Sequence, residues 1–255
     1  MIPRAFLALA ICVNLYISAF AEKNSTEPYV VLITGCSSGI GRASALRFAN
    51  NSKFRVYATM RDTRKWTEPS LNNLFLMNMD VTSDVSVRSA VKSIEDKEGK
   101  IDIVVNNAGY GIAGSLESVS VQEAQSVFDV NVWGVVRVLQ EVLPAMRKAK
   151  RGHVINISST SGIRGIPCFE MYTGSKFALE GITDSLRYTL APYGVSVTNL
   201  NAGPVRTSFT ERFGNIEMGG KGTREADDSL GFLSSMTEKM IGSLNRRMES
   251  AEAQV

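Results

Sequence analysis

Residues 29–41 read YVVLITGCSSGIG, an apolar run that leads directly into a glycine-rich turn. The run from Tyr29 to Thr34 is rich in β-branched residues and predicts a strand, and Ile40 to Asn50 carries apolar residues at helical spacing. Glycines let such a turn bend tightly, and the start of the following helix favours a negative charge. The glycines alone would indicate only a turn. Their place between a first strand and a helix predicts that this segment binds the phosphates of a nucleotide.

The alternation of strand and helix continues along the chain. Further apolar runs predict strands at 54–59, 74–79, 101–105, 153–157 and 195–200, and helical periodicity covers 85–98, 121–150 and 172–193. Short, continuously apolar strands separated by helices indicate a parallel sheet that is covered on both faces. We therefore predict a single α/β domain with a Rossmann-like, doubly wound parallel sheet of six strands.

The composition excludes several classes of protein. A chain of 255 residues with 44% hydrophobic and 21% charged residues is an ordinary globular chain, not a disordered or coiled-coil one. The net charge of +3 and the lack of a long basic run give no sign of a nucleic-acid partner. Three cysteines and one histidine are too few for a usual zinc site or a disulfide framework, so we predict no metal site.

The first 21 residues have the pattern of a targeting segment. Arg4 precedes an almost wholly apolar run, and Ala19-Phe20-Ala21 offers small residues to a signal peptidase, which predicts cleavage before Glu22 and a folded domain over 22–255. The alternative is a retained anchor in which residues 5–21 associate with the membrane. Both interpretations direct the protein to the secretory pathway: to the ER lumen or the exterior if the leader is removed, and to a membrane if it is retained.

Several motifs stand in a fixed order between Tyr29 and Phe209. They are Thr34 to Gly41 as T-G-x-x-x-G-x-G, Asn106 to Gly109 as N-N-A-G, Ser159 thirteen residues before Tyr172, and Tyr172 with Lys176 as Y-x-x-x-K. In this combination the chain resembles the short-chain dehydrogenase/reductase family. Asn131 also falls on the position of the family's helix asparagine.

The resemblance implies a catalytic set of Ser159, Tyr172, Lys176 and Asn131. Tyr172 would exchange a proton with the substrate oxygen, Ser159 would orient that oxygen, Lys176 would hold the nicotinamide ribose, and Asn131 would keep a water in the proton relay. Tyr172 and Lys176 lie four residues apart on one helix face, so the ammonium is expected to lower the pKa of the phenol. The neighbouring serines at 158 and 161 remain alternatives, since only the spacing selects Ser159.

The resemblance also implies a nicotinamide cofactor, with contacts spread over the chain. The cofactor-binding positions are Thr34, Gly35, Ser37, Ser38, Gly39, Ile40, Gly41, Arg61, Asp80, Val81, Asn107, Ala108, Gly109, Tyr172, Lys176, Val205 and Thr207. No acidic residue closes the second strand, and Arg61 stands where relatives that prefer NADP place a cation. We therefore predict NADP(H), with Arg42 as a further candidate cation, although Asp62 beside Arg61 argues in the other direction.

Within the family, three segments look like the branch that contains 17-beta-hydroxysteroid and photoreceptor retinol dehydrogenases. These are residues 34–41, 57–62 and 177–181. The likeness implies an NADP-dependent oxidoreductase that interconverts a lipophilic alcohol, such as a steroid or retinoid, and its carbonyl. The alternative is a catalytically silent nucleotide-sensing or interaction protein on the same fold. A sugar-nucleotide epimerase also uses a tyrosine and a lysine four apart, but its glycine spacing differs.

The C-terminal part departs from the family pattern. Periodicity is lost over 206–228, which predicts a flexible segment that serves as an apolar lid or simply packs, and 230–251 resumes as an amphipathic helix. The family's last strand is then missing, so we expect a homodimer that covers the sheet edge, a weakly stable protein, or an incomplete sequence. In the segment 202–207, Ala202 also replaces the family's proline.

Overall fold

The computed structural model describes residues 27–203. The predicted leader, the segment 206–228, the helix predicted over 230–251 and the predicted cofactor residues Val205 and Thr207 lie outside the described residues. Over 27–203, none of the helices combines the length and the apolar character needed to cross a bilayer.

A single parallel sheet forms the centre of the described chain, as the sequence predicts. Its strands are β1 (Tyr29–Ile33), β2 (Phe54–Met60), β3 (Leu74–Asn78), β4 (Ile103–Asn106), β5 (Gly152–Ser159) and β6 (Val195–Ala202). They lie in the order β3-β2-β1-β4-β5-β6, and all paired neighbours are parallel. The chain therefore moves outward from β1 to one edge and returns to the other side of β1 at β4. In doubly wound sheets, ligands bind outside the carboxyl ends of the strands at this reversal.

Helices cover both faces of the sheet. They are α1 (Gly39–Ala49), α2 (Asp84–Glu98), α3 (Val121–Phe128), α4 (Gly134–Ala149) and α5 (Glu170–Leu190). Successive side chains of β1 point to opposite faces. Val30 and Leu32 pack in a core with residues of α2, α4 and α5, whereas Val31 and Ile33 pack in a second core with residues of α1. The two cores hold the strands from both faces of the sheet. They thereby position the loops that follow β1 and β4, where the strand order reverses.

The prediction of one continuous helix over 121–150 is wrong in detail. A π-helical segment, Asp129–Trp133, separates α3 from α4. Asn131 lies in that segment and is 1% exposed, and its amide is bonded to the backbone of Tyr110 and to Ser175. A π turn adds a residue to the helical turn, and such turns concentrate at functional sites. Hydrophobic periodicity could not reveal it, because the segments on both sides are helical.

The remaining element boundaries differ from the predictions by a few residues. The helix predicted over 172–193 begins earlier, at Glu170, ends at Leu190, and continues as a short 3-10 turn to Tyr193. The strand predicted from Ile101 begins instead at Ile103. Before it, the Asp102 carboxylate accepts a hydrogen bond from the backbone N–H of Val30 at 2.9 Å. The backbone of Asp102 is also bonded to Val30 and His153, so the chain is already held between β1 and β5 just before Ile103.

Candidate active site

The glycine-rich turn lies at the carboxyl end of β1, at the reversal of strand order. Gly35 and Gly39 have φ values of +70° and +59°, which side-chain-bearing residues rarely adopt. A Cβ added to Gly35 would lie 2.7 Å from the Cα of Ala108, so the turn passes directly against the loop that follows β4. Helix α1 begins at Gly39, and the side chain of Ser38 does not cap it. The first backbone N–H groups of α1 therefore suit a phosphate, and the turn fits a dinucleotide.

Two of the predicted cofactor residues hold the turn to the loop after β4. The Thr34 hydroxyl accepts hydrogen bonds from the backbone N–H groups of Asn107 and Ala108, both at 2.9 Å. The Asn107 side chain donates to the carbonyl oxygens of Thr34 and Gly35 at 2.9 and 3.1 Å. The polar groups of Thr34 and Asn107 are thus used within the protein, where they fix the position of the turn.

The residues after β2 and β3 form the side of the site predicted for the adenosine. Arg61 is exposed and follows β2 directly. Asp62 is paired with Arg64, whose Nε lies 2.8 Å and whose terminal nitrogen lies 3.1 Å from the two carboxylate oxygens. The hydrogen bonds from Arg64 lower the pKa of Asp62. The carboxylate of Asp62, beside Arg61, is therefore already paired with the guanidinium of Arg64.

Asp80 and Val81 follow the end of β3. The Asp80 carboxylate accepts hydrogen bonds from the backbone N–H and the hydroxyl of Thr82 at 3.0 and 2.8 Å. Burial raises its pKa, but these bonds and the field of Arg61 lower it more, so Asp80 ionises more readily than an ordinary aspartate. Val81 is buried, 8% exposed, against Gly134. The contact with Gly134 ties this loop to the start of α4.

Arg42 brings a second cation to the same region. It lies on α1, and its guanidinium donates to the carbonyl oxygen of Ser37 in the turn. The guanidinium also lies 3.4 Å from the Glu68 carboxylate and 5.9 Å from the centre of the Trp66 ring. Arg42 therefore bridges the glycine-rich turn and the loop that follows β2.

The predicted catalytic side chains meet between β5 and α5. Ser159 is the last residue of β5, and Tyr172 and Lys176 lie on successive turns of α5. The Ser159 hydroxyl hydrogen-bonds the phenol of Tyr172, which is 7% exposed. Lys176 is also 7% exposed, and its ammonium donates to the carbonyl oxygen of Ile157 at 2.8 Å. The structure thus brings Ser159, Tyr172 and Lys176 together.

The pKa values of this group follow from burial. Burial raises the pKa of Tyr172 to about 12, against a lowering by the Ser159 hydrogen bond. Burial also lowers the pKa of Lys176 to about 8, against a raising by the charge of Glu180. The phenol therefore departs from the lowering that the sequence predicts. The physical reason is that both side chains leave water, and the ammonium binds Ile157 while its nitrogen stays 5.8 Å from the centre of the phenol ring.

The structure distinguishes the three candidate serines. Ser159 alone of the three contributes a hydrogen bond that acts on Tyr172. Ser158 and Ser161 are each 3% exposed, and Ser161 donates its backbone N–H to the Ser159 hydroxyl at 3.1 Å. Ser161 thus orients Ser159.

Asn131 is placed behind the catalytic helix. Its Oδ1 accepts the backbone N–H of Tyr110 at 3.0 Å, and its Nδ2 donates to the Tyr110 carbonyl at 2.9 Å and to Ser175 Oγ at 3.0 Å. The Ser175 hydroxyl in turn donates to the carbonyl of Tyr172 at 2.7 Å. The amide of Asn131 therefore joins the loop after β4 to the turn of α5 that carries Tyr172.

Some residues around the site were not predicted from the sequence. One of them is Ser175, which accepts a hydrogen bond from Asn131. The others form a group on α5 and β6, in which Glu180 accepts hydrogen bonds from Asn199 and Asn201. Glu180 could have been noticed, because Tyr172, Lys176 and Glu180 follow one another at four-residue spacing on α5. Over residues 27–203, no cluster of three or more His, Cys, Asp or Glu side chains is arranged to hold a metal ion.

Comparison with known proteins agrees with this geometry. The family model described as short chain dehydrogenase matches residues 29–216. The chain is 38% identical over 204 residues to 3-ketodihydrosphingosine reductase of Bacteroides thetaiotaomicron, covering 80% of this chain and 74% of that protein. It is 40% identical over 194 residues to human retinol dehydrogenase 8 (72% and 61% coverage). It is 42% identical over 194 residues to human 17-beta-hydroxysteroid dehydrogenase type 1 (72% and 58%). The match thus spans less than two thirds of both human proteins.

Solved structures share the fold. A short-chain dehydrogenase from Streptomyces avermitilis has a TM-score of 0.72 at 27% identity, covering 86% of this chain and 79% of that one. ElxO with NADP bound has a TM-score of 0.68 at 27% identity (74% and 80% coverage). A 3-ketoacyl-(acyl-carrier-protein) reductase from Brucella melitensis complexed with NADH has a TM-score of 0.67 at 27% identity (72% and 79%). Structures similar to this chain therefore bind both nicotinamide dinucleotides.

Proposed function

The chain belongs to the short-chain dehydrogenase family, and from this premise we propose that it is an NADP-dependent oxidoreductase that interconverts a lipophilic alcohol and its carbonyl compound. The observation that carries the proposal is the contact of Ser159 with Tyr172, with Lys176 on the next turn of α5. A nucleotide-binding turn without chemistry would not need a phenol, a hydroxyl and an ammonium buried together at the end of β5.

The residues divide the reaction between them. A nicotinamide dinucleotide held at the glycine-rich turn would supply the hydride for the carbonyl carbon, or accept it in the reverse direction. In reduction, Tyr172 donates its phenolic proton to the carbonyl oxygen, and in oxidation it takes the proton of the alcohol. The Ser159 hydroxyl holds that oxygen beside the phenol. In the protein without cofactor, a pKa of about 12 keeps Tyr172 protonated near neutral pH, and the protonated phenol is the form that donates a proton during reduction.

Lys176 and Asn131 support Tyr172 in different ways. Lys176 carries its ammonium in the buried site and would bind the ribose of a nicotinamide cofactor, and its positive charge favours the phenolate that forms when the proton leaves. Asn131 acts through Ser175 and the backbone of Tyr110, which it holds in register. Its predicted role in keeping a relay water stays a prediction.

The choice of NADP over NAD rests on the cations near the end of β2. Arg61 is exposed after the strand, and Arg42 reaches from α1 to the loop that follows β2. A 2′-phosphate favours such cations, because Arg matches its geometry with several donors. Asp62, which would otherwise accept the ribose hydroxyls of NAD, is paired with Arg64. These contacts support NADP as the cofactor of this chain.

The substrate class is inferred from relatives. The names of the three curated relatives point to retinol, to a steroid and to a ketone of a sphingoid base, which are all lipophilic. We further propose that residues 1–21 direct the protein to the secretory pathway or anchor it in a membrane, where such substrates dissolve, and that the protein acts as a homodimer.

A carbonyl panel tests the function. Purified protein is mixed with NADPH and with retinal, steroid ketones, fatty aldehydes and a 3-ketosphingoid base, and the absorbance of NADPH is followed. The proposal expects oxidation of NADPH with at least one class. Binding of NADPH without turnover on the whole panel would contradict it and would favour the silent nucleotide-sensing protein.

A further inference from the structure

Glu180 continues the row of reactive side chains on α5. Tyr172, Lys176 and Glu180 are separated by four residues each, so they lie on one face of the helix. Glu180 is partly buried, and a Cβ added to Gly162 would lie 3.0 Å from its Cγ. The carboxylate thus lies against the segment that follows Ser159.

Two asparagines of β6 hold this carboxylate. Asn199 Nδ2 lies 2.6 Å from one carboxylate oxygen, and Asn201 Nδ2 lies 2.6 Å from the other. They are two residues apart on the strand and therefore point to the same face of the sheet. Asn201 also donates to the carbonyl oxygen of Ser159 at 3.3 Å. The two amides are neutral, so they fix the Glu180 carboxylate without neutralising its charge. Over residues 27–203, no lysine or arginine side-chain nitrogen lies within 4.0 Å of this carboxylate.

The surroundings of Lys176 make that charge important. Among the described residues, Glu180 is the charged side chain whose field acts on the ammonium of Lys176. The elements packed on α5 are β5, β6, the turn after Ser159, α3 and the π-helical segment Asp129–Trp133. The Lys176 ammonium binds a backbone carbonyl of β5, and the π-helical segment meets α5 beside Lys176 through the neutral amide of Asn131. The charged residues of these two helical elements have other partners: Asp129 is paired with Arg137 at 2.7 Å, and Glu123 bonds Ser120 at the start of α3. The same four-residue spacing also places the phenol of Tyr172 and the carboxylate of Asp184 on this side of α5. Further along α5, Asp184 is exposed and paired with Arg187 at 3.0 Å.

We propose that Glu180, clamped by Asn199 and Asn201, is the counter-charge of Lys176 and keeps that buried ammonium charged beside Tyr172. Glu180 is then a positioning residue, because it acts on the reaction through Lys176. The catalytic meaning of this inference rests on the proposed function, whereas the coupling between the two charges can be measured without turnover.

The pKa of Lys176 is the direct readout. The carbon-13 chemical shifts of lysine side chains are followed against pH in the full protein without cofactor, and the Lys176 signal is assigned with Lys176→Met. In the wild type we expect a midpoint of about 8. Glu180→Gln removes the charge at similar size and should lower the midpoint by about one unit. Asp184→Asn, the matched control on the same helix, should leave it unchanged.

The result that overturns the proposal is a midpoint that moves no further in Glu180→Gln than in Asp184→Asn. If the glutamine variant does not fold, the wild type decides the matter. The side-chain carboxyl carbon signal of Glu180, assigned by its loss in Glu180→Asp, should then show a step at the Lys176 midpoint, because coupled groups report each other's titration. The absence of that step would contradict the coupling.

The pH dependence of turnover adds the catalytic test. If reduction requires the charged ammonium, the alkaline limb of kcat in Glu180→Gln should move to lower pH by the same amount. One unit above the wild-type midpoint, the variant would then be about ninefold slower than Asp184→Asn, and two units below it the two would be nearly equal. A uniform loss at all pH values would indicate a merely structural role and would contradict the proposal. A wild type that reduces no carbonyl would instead refute the proposed function and leave the titration to decide on Glu180.

Discussion

Replacing Tyr172 by phenylalanine removes one buried hydroxyl and leaves the ring in place. The ring is 7% exposed and its packing is unchanged by the substitution, so the variant should fold. Loss of the hydrogen bond with Ser159 should cost about 1 kcal/mol of the free energy of unfolding. Binding of NADPH should change little, because the proposed phosphate site is the glycine-rich turn and not the phenol of Tyr172.

The effect on turnover should be much larger. A positioned general acid contributes about 10² to 10⁴-fold to the rate, which corresponds to about 3 to 5 kcal/mol of the activation barrier. The initial rate of NADPH oxidation is compared for wild type, Tyr172→Phe and Tyr188→Phe, with the best carbonyl of the panel. Tyr188 lies on the same helix and is 80% exposed, so its variant controls for the loss of a phenol from α5. A Tyr172→Phe rate within tenfold of the wild type would refute Tyr172 as the proton donor.

Three further outcomes are expected. Arg61→Ala should weaken NADPH binding by about tenfold or more while NADH binding stays the same. The control Arg47→Ala, in the last turn of α1 and away from the glycine-rich turn, should preserve the NADPH affinity, and a preference for NADPH that survives Arg61→Ala contradicts the phosphate contact. Because burial lowers the pKa of Lys176 to about 8, the unfolded chain binds more protons above that pH, so the wild type should gain stability relative to Lys176→Met as the pH rises from 8 towards 10. Measured by urea unfolding, this gain in the free energy of unfolding should reach about 2 kcal/mol at 1.5 pH units above the pKa of Lys176. A difference between wild type and Lys176→Met that does not change with pH would contradict the lowered pKa. Gly35→Ala should lower the melting temperature, because the new Cβ would lie 2.7 Å from the backbone of Ala108. Gly181→Ala on α5 should raise it, because its Cβ would meet nothing within 4 Å and alanine favours a helix. Equal effects of the two variants would contradict the close approach of the glycine-rich turn to the loop after β4.

The sequence predicted the parts of the site that depend on short stretches of chain. The turn from Gly35 to Gly41 is recognisable because its glycines stand between a strand and a helix, and the pairing of Tyr172 with Lys176 follows from helical spacing. The doubly wound sheet follows from the alternation of apolar strands with helices, which needs no knowledge of distant contacts.

The parts it did not predict depend on segments that are distant in the sequence. The π turn at Asn131 is stabilised by hydrogen bonds with Tyr110 and Ser175. Neither contact changes the spacing of apolar residues around Asn131, so the sequence pattern does not show the turn. The pKa of Tyr172 rises instead of falling, because burial depends on how the elements pack and not on the neighbouring lysine alone. The clamp on Glu180 was missed because its two asparagines lie on β6 and read as ordinary polar residues.

The position of Tyr172 relative to the cofactor carries the whole account of activity. It is measured directly in a crystal structure of the protein with NADP bound, as the distances from the Tyr172 hydroxyl to the reactive carbon of the nicotinamide and from the Lys176 ammonium to the nicotinamide ribose. The account predicts that the hydroxyl faces the nicotinamide across a space that a carbonyl group can fill, with the ammonium within hydrogen-bonding distance of the ribose. A hydroxyl turned away from the ring, with Lys176 out of reach of the ribose, would contradict it.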